Sequence, residues 1–230
     1  MRSITCASLA FISGAFVASS TCVGAPAASP TVRLSGSLPA DSDAGVKFAS
    51  AIADMQHQLY PRAAKQLSEL ALQGMPEAAY NLSILYDRGL GVPRKPEKAV
   101  YLLREAAAAN LPEAEFALGV RTATGQGMTK NDAEAARLYQ AAAVQGHPAA
   151  AFNLGYAYKD GAGVPQHLPT ALAWFRKAAS EGFPGAGDMV RNIELRVEPA
   201  ELAEADRLSS TLDGMSASTA MSQQRGVSEP

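Results

Sequence analysis

The sequence predicts an all-α protein, a solenoid of stacked helix pairs, and three observations carry that prediction. A 36-residue unit occurs three times without a gap over residues 78–185, marked by Leu82, Leu118 and Leu154. In the same register stand Gly89/Gly91, Gly125/Gly127 and Gly161/Gly163, then Ala99, Ala135 and Ala171, then Pro112, Pro148 and Pro184. Coincidences at one fixed spacing are the signature of a tandem repeat. Composition agrees: residues are 47% hydrophobic, 7% aromatic and 18% charged, the profile of an Ala-rich helical chain and not of a sheet protein built on β-branched side chains.

Charge narrows the function classes. A formal net charge of −2 and a pI near 5.9 leave no basic footprint for nucleic acid or for an anionic membrane surface. The cysteines are Cys6 and Cys22, both in the first segment, so a chain that loses that segment has no disulfide framework and no thiolate metal site.

Residues 1–28 carry Arg2, an uncharged stretch from Ile4 to Val23 and an Ala25-Pro26-Ala27 site, which reads as a cleaved signal peptide and a periplasmic or secreted protein. The alternatives are an uncleaved N-terminal membrane anchor and a lipoprotein modified at Cys22. Residues 29–41 mix Pro, Ser and Gly without period and form a linker. Residues 42–77 read as a degenerate first repeat: Val46, Phe48, Ala49, Ile52, Ala53 and Met55 suit a helix capped by Ser42 or Asp43, and Pro61 starts the next.

Full repeats follow at 78–113, 114–149 and 150–185, each read as helix A, glycine loop, helix B and turn. In helix A of the first, Ala78, Leu82, Leu85 and Tyr86 make one apolar stripe that must be buried. Glycine ends the helix because it enters the left-handed region without a Cβ clash. Val92, Met128 and Val164 place an apolar plug after each loop. Helix B turns Ala99, Leu102, Leu103, Ala106 and Ala107 inward, with Leu138/Tyr139 and Trp174/Phe175 as the larger residues of later units. Asn131 is a good cap for helix B; Lys95 and His167 at its equivalents are poor ones. After Gly185 the pattern restarts without its glycine loop, so 186–213 are expected to be capping helices, and 214–230, polar and aperiodic, a disordered tail.

These residues resemble the Sel1-like repeat, most closely in Leu154-Gly155, Tyr158, Gly161-x-Gly163-Val164, Ala171, Trp174-Phe175, Lys177-Ala178-Ala179 and Gly182. The resemblance implies a right-handed α/α superhelical solenoid of Sel1-like, tetratricopeptide-like helix pairs, with helix A lining the concave face and a role in assembling protein complexes. Ser83 in place of Gly, Thr122 in place of Tyr and Met128 in place of Val depart from the pattern and bear on local packing.

Motifs for chemistry are missing from the chain. No S-x-x-K, S-D-N or K-T-G sequence supports a penicillin-binding or β-lactamase-like activity, and no H-E-x-x-H or phosphate-binding G-x-x-x-x-G-K-[ST] occurs. His57, His147 and His167 lack spaced partners for a metal. No cofactor is expected, and the chain is expected not to be an enzyme.

Candidate binding residues therefore come from the open face of helix A. With tetratricopeptide geometry, Tyr80, Phe116 and Phe152 form an aromatic column, with Asn81 and Asn153 beside it, Ile84, Val120 and Tyr156 continuing it and Arg88 at the end of the first helix. Rigid aromatics give large contact area at low entropy cost, and asparagine amides hold an extended peptide backbone. The competing reading is that these rings pack between adjacent A helices. The first leads to an exported adaptor that binds another protein or peptide of the cell envelope, with no membrane span in the mature chain. A cell-wall hydrolase, and an accessory factor in envelope polysaccharide export, are the alternatives.

Overall fold

A computed structural model describes the chain from Ser42 to Arg225, with side chains placed as far as Gly214. Among these residues every regular element is an α-helix. In chain order they are α1 (Asp43–Gln56), α2 (Tyr60–Leu72), α3 (Pro76–Arg88), α4 (Pro96–Ala108), α5 (Pro112–Thr124), α6 (Asp132–Val144), α7 (Pro148–Asp160), α8 (Leu168–Ser180), α9 (Ala186–Glu194) and α10 (Pro199–Arg225). The expected signal peptide and linker, and residues 226–230, lie outside the described residues.

Each helix from α1 to α8 packs on the next, so the chain winds as an α/α superhelical solenoid, with α3, α5 and α7 as A helices and α4, α6 and α8 as their B partners. Proline in the first turn starts α3, α5 and α7, where its missing N–H costs nothing. Gly89, Gly125 and Gly161 end them with φ of 70°, 73° and 72°, and each returns its N–H to the helix. The loops are then clipped back onto their own A helices: the N–H groups of Lys95, Asn131 and His167 each donate at 2.9 Å to the carbonyls of Tyr86, Thr122 and Tyr158.

The second glycine of the loop has a different task from the first. A Cβ on Gly163 would lie 2.2 Å from the backbone of Asp132, and one on Gly91 2.4 Å from that of Tyr60. These loops press on the start of the preceding B helix, so the residue is small because two backbones meet there.

The core follows the predicted faces. Ala78, Leu82 and Leu85 of α3 and Ala99, Leu102, Leu103, Ala106 and Ala107 of α4 are buried, as are Trp174 and Phe175 of α8. In α1 the buried residues are Phe48, Ala51, Ile52 and Asp54, while Val46 is exposed. Asp54 is held by Gln66 at 3.0 Å and faces Arg62 at 3.6 Å.

The three departures from the repeat pattern are compensated within their own units. A Cβ on Gly119 or Gly155 would come within 2.8 Å of the ring of Tyr139 or Phe175. In the first unit that ring position is Leu103, which leaves room for Ser83, whose hydroxyl donates to the Tyr80 carbonyl at 2.6 Å. Thr122, where Tyr86 and Tyr158 stand in the flanking units, donates to the Leu118 carbonyl at 2.8 Å and meets Met128 Sδ at 3.5 Å. The long methionine replaces valine where the ring is lost.

Two expectations need correction. His167 does cap its helix: with Nδ1 in the acceptor state it takes the Thr170 N–H at 3.3 Å, and His147 caps α7 by taking the Ala150 N–H at 3.2 Å. A neutral imidazole nitrogen serves where an Asx oxygen is usual. Lys95 makes no side-chain cap, as expected. Nor does the chain lose its helical order at Gly214, since α10 continues to Arg225. One interior glycine costs a helix only about 1 kcal/mol, and residues 215–225 hold no proline. This helix packs on α8 and, further along, on α6. Ala205 is fully buried there, and Asp206 and Asp213 lie 2.7 and 3.9 Å from Arg176 and Lys177.

Candidate functional site

The aromatic column exists as a repeated feature of the A helices, and its rings are half-buried in all three units. Tyr80, Phe116 and Phe152 each hold the same place on α3, α5 and α7, with one side against the core and the rest open. The ring partners of Phe116 and Phe152 lie on the B helix and the turn that follows it, with Tyr156 of the same A helix 5.1 Å from Phe152 as well. Phe116 stacks on His147 with centroids 4.5 Å apart and tilts against Tyr139 at 6.1 Å. Phe152 meets Phe183 at 4.4 Å and Phe175 at 5.4 Å. His147 and Phe183 are one register position, which Leu111 fills in the first unit, buried. Sequence reasoning treated this residue only as part of the turn, although its spacing of 36 made it visible.

The rest of the column is uneven. Ile84, Val120 and Asn153 are half-buried and Arg88 is exposed. Tyr156 stands perpendicular to Phe175 at 5.3 Å, its hydroxyl reaches Met189 Sδ at 3.4 Å, and Lys159 Nζ lies 4.9 Å over its ring. Asn81 is buried, at 4% exposure, and its amide donates at 2.8 Å to the Glu77 carbonyl within its own helix. That places Asn81 in the framework and not on the open face, because the side chain is buried, one of its two N–H groups is spent inside its own helix and its Oδ1 is buried without a partner. Burial, followed by the charge of Glu113, pushes the Tyr80 phenol above its ordinary value, against the pull of Arg88. Asp87 and Arg121 pair at 2.7 Å, linking the ends of α3 and α5 beside Arg88.

The column thus offers graded anchors: Tyr80, Ile84 and Arg88 with little ring packing at one end, and a tight Phe152–Tyr156–Phe175 cluster at the other. It holds no grouping for acid–base or nucleophilic chemistry. Among the described residues no cluster of His, Cys, Asp and Glu has the makings of a metal site, and no helix is long and apolar enough to cross a membrane.

The family model described as the Sel1 repeat matches residues 76–111, 112–147 and 148–183. The chain carries three Sel1 repeats. The matched units keep the 36-residue period and begin two residues earlier than the sequence periodicity was phased, on the prolines that open α3, α5 and α7. Among solved structures, a Sel1 repeat protein from Oxalobacter formigenes is similar with a TM-score of 0.60 at 32% identity, covering 62% of this chain and 58% of that one. The protective antigen c5321 of uropathogenic Escherichia coli, which displays an SLR fold, is similar with a TM-score of 0.53 at 25% identity over 82% of this chain. This chain spans 49% of that antigen's length. No curated protein matches it in sequence. Sel1 repeat proteins are in general protein-interaction scaffolds and typically non-catalytic, and their repeats mediate contacts between proteins.

Proposed function

We propose that this Sel1 repeat protein is an exported bacterial adaptor that binds another protein of the cell envelope along the A-helix column from Tyr80 to Tyr156. The observation that carries the reading is the recurrence of a half-buried aromatic at one register position of three successive A helices. Each ring is fixed from behind and open in front. A side chain already immobilised by its own fold loses little entropy when a partner covers it, and this is what a binding anchor requires. Ile84 and Val120 extend the apolar strip, Asn153 adds hydrogen-bonding capacity, and Arg88 gives the Tyr80 end a cation. Export rests on the character of residues 1–28.

The test pairs Ile84→Glu and Val120→Glu in one variant and compares its partner capture from the native host's envelope fraction with that of the wild type. Both residues are only half-buried, so helicity and melting are expected to stay close to wild type while one specific partner is lost. Retention of that partner by a folded variant refutes the column. Fractionation of the host with N-terminal sequencing tests export: a mature chain starting near Ala28 outside the cytoplasm is expected, and a cytoplasmic chain starting at Met1 refutes it.

A further inference from the structure

Residue 115 breaks its own register. The matching places on α3 and α7 are Ala79 and Ala151, both buried, whereas α5 carries Glu115 there at 5% exposure. A carboxylate where the array otherwise puts a methyl group brings a desolvation cost that two of three repeats avoid. Its Oε2 accepts from Gln145 Nε2 at 2.8 Å. Beside it opens a cavity of about 530 Å³ lined by Asn110, Arg137, Gln140, Ala141, Val144 and Gln145. The cation of that lining is committed elsewhere, because Arg137 donates to both oxygens of Glu134 at 2.8 and 2.6 Å.

The next repeat shows what the same cleft accommodates. One period on, Ala141 becomes Lys177, Gln145 becomes Glu181 and Asn110 becomes Gly146. Lys177 is 8% exposed, and its Nζ lies 2.9 Å from Glu181, whose carboxylate rests 3.7 Å from where a Cβ on Gly146 would stand. That unit fills the cleft with its own ammonium and carboxylate. In the second repeat the buried carboxylate is present and an alanine stands where the ammonium-bearing residue would be.

We propose that the Glu115 cleft binds a primary ammonium group on an alkyl stem, presented from outside the chain, with Glu115 as its counter-charge. Ala141 and Val144 line the path of the stem, and the amide oxygens of Asn110, Gln140 and Gln145 are available to the N–H groups that Glu115 does not take. Burial pushes the Glu115 carboxyl up to about 7, so near neutrality it ionises most readily when a cation arrives, and occupancy rises with pH across that range. The charged groups facing it are Arg137 and, through it, Glu134, both on α6; the α4–α5 turn contributes only the neutral Asn110. This cleft is made by α6, the α4–α5 turn and Glu115 of α5, and none of its lining residues belongs to the A-helix column.

The ammonium belongs either to a free diamine or to a lysine side chain of a partner, and three probes on the full chain separate them. Cadaverine, N-acetyl-lysine methylamide and the uncharged N-acetyl-norleucine methylamide are titrated at pH 8 while amide shifts are followed by NMR. The expected result is saturable shifts at Ala141, Val144 and Gln145 with an amine and none with the norleucine control. Tighter binding of cadaverine assigns the site to free amines; tighter binding of acetyl-lysine assigns it to a partner's lysine. Glu115→Ala, which copies Ala79 and Ala151, is expected to fold and to weaken binding at least about tenfold, the least that loss of a charge-assisted contact brings. Ala141→Lys is expected to do the same by filling the cleft from within. Absence of amine binding, equal binding of the norleucine control, or wild-type affinity in either folded variant overturns the proposal.

Discussion

At the scale of single residues, the repeats serve as controls for one another. Ser83 with Leu103, and Gly119 and Gly155 with Tyr139 and Phe175, are three solutions to one contact. Placing a methyl at 155 drives it into the Phe175 ring, so Gly155→Ala is expected to cost about 1–3 kcal/mol by chemical denaturation, the usual penalty of overpacking. Leu103→Phe is expected to destabilise the wild type and to be better tolerated beside Ser83→Gly; a double-mutant cycle reads that coupling, and additive effects contradict it. Glu115 yields a pH prediction with a definite sign. Its carboxyl holds its proton more tightly folded than unfolded, with a value raised from 4.5 to about 7. The native state therefore binds more protons than the unfolded state between those values, and stability falls as pH rises through that window. Glu115→Gln is expected to flatten this dependence and to melt higher than wild type at pH 8; thermal melts at pH 5 and pH 8 check it. Ser83 stood out in the sequence as a departure from the repeat, but its pairing with Leu103 and the burial of Glu115 did not. A buried glutamate and a surface glutamate look alike on an alanine-rich helix, and only the alignment of Glu115 with Ala79 and Ala151 singles it out.

At the scale of elements, the A helices were legible almost to the residue, because proline, an apolar stripe and a left-handed glycine mark start, face and end. Gly125→Ala keeps the space but not the backbone conformation, as φ there is 73°, and is expected to cost about 1–2 kcal/mol. The start of α8 was less legible, because histidine becomes a cap only when its tautomer leaves Nδ1 as acceptor. α10 was legible in part. Its amphipathic beginning marked it as a cap, but its continuation as helix past Gly214 was not marked by any apolar period in 214–225. The two kinds of contact that hold it differ in weight. Asp206→Asn and Asp213→Asn remove exposed carboxylates whose partners keep a second carboxylate, Glu194 for Arg176 and Glu181 for Lys177, and are expected to cost no more than about 1 kcal/mol each. Ala205→Glu places a charge in a fully buried site and is expected to release the helix from α8, seen as faster amide exchange in α8 and α10.

At the scale of the whole molecule, a solenoid is held by contacts between neighbouring units, so stability adds up along the stack and the ends are its weakest members. Hydrogen exchange is expected to be slowest in α5, α6 and α7 and faster in α1 and α2. The architecture was readable from the sequence because periodicity survives changes in individual residues. The binding surface was readable only as a set of positions. The rings at 80, 116 and 152 were visible in the register, whereas the seating of Phe116 against His147 and of Phe152 against Phe183 depends on the path of the chain between B helix and next A helix, and the burial of Asn81 on the packing around its own helix. What the fold leaves is a strip of half-open anchors fixed from behind. The most direct test is site-specific photo-crosslinking in the native host, with a benzophenone side chain at Ile84 or Val120 and, for comparison, at the exposed Leu72 or Tyr101 of the B helices. The account predicts one common partner captured from both A-helix positions and absent from both B-helix positions. Capture of that partner from Leu72 or Tyr101, with none from Ile84 or Val120, would contradict it.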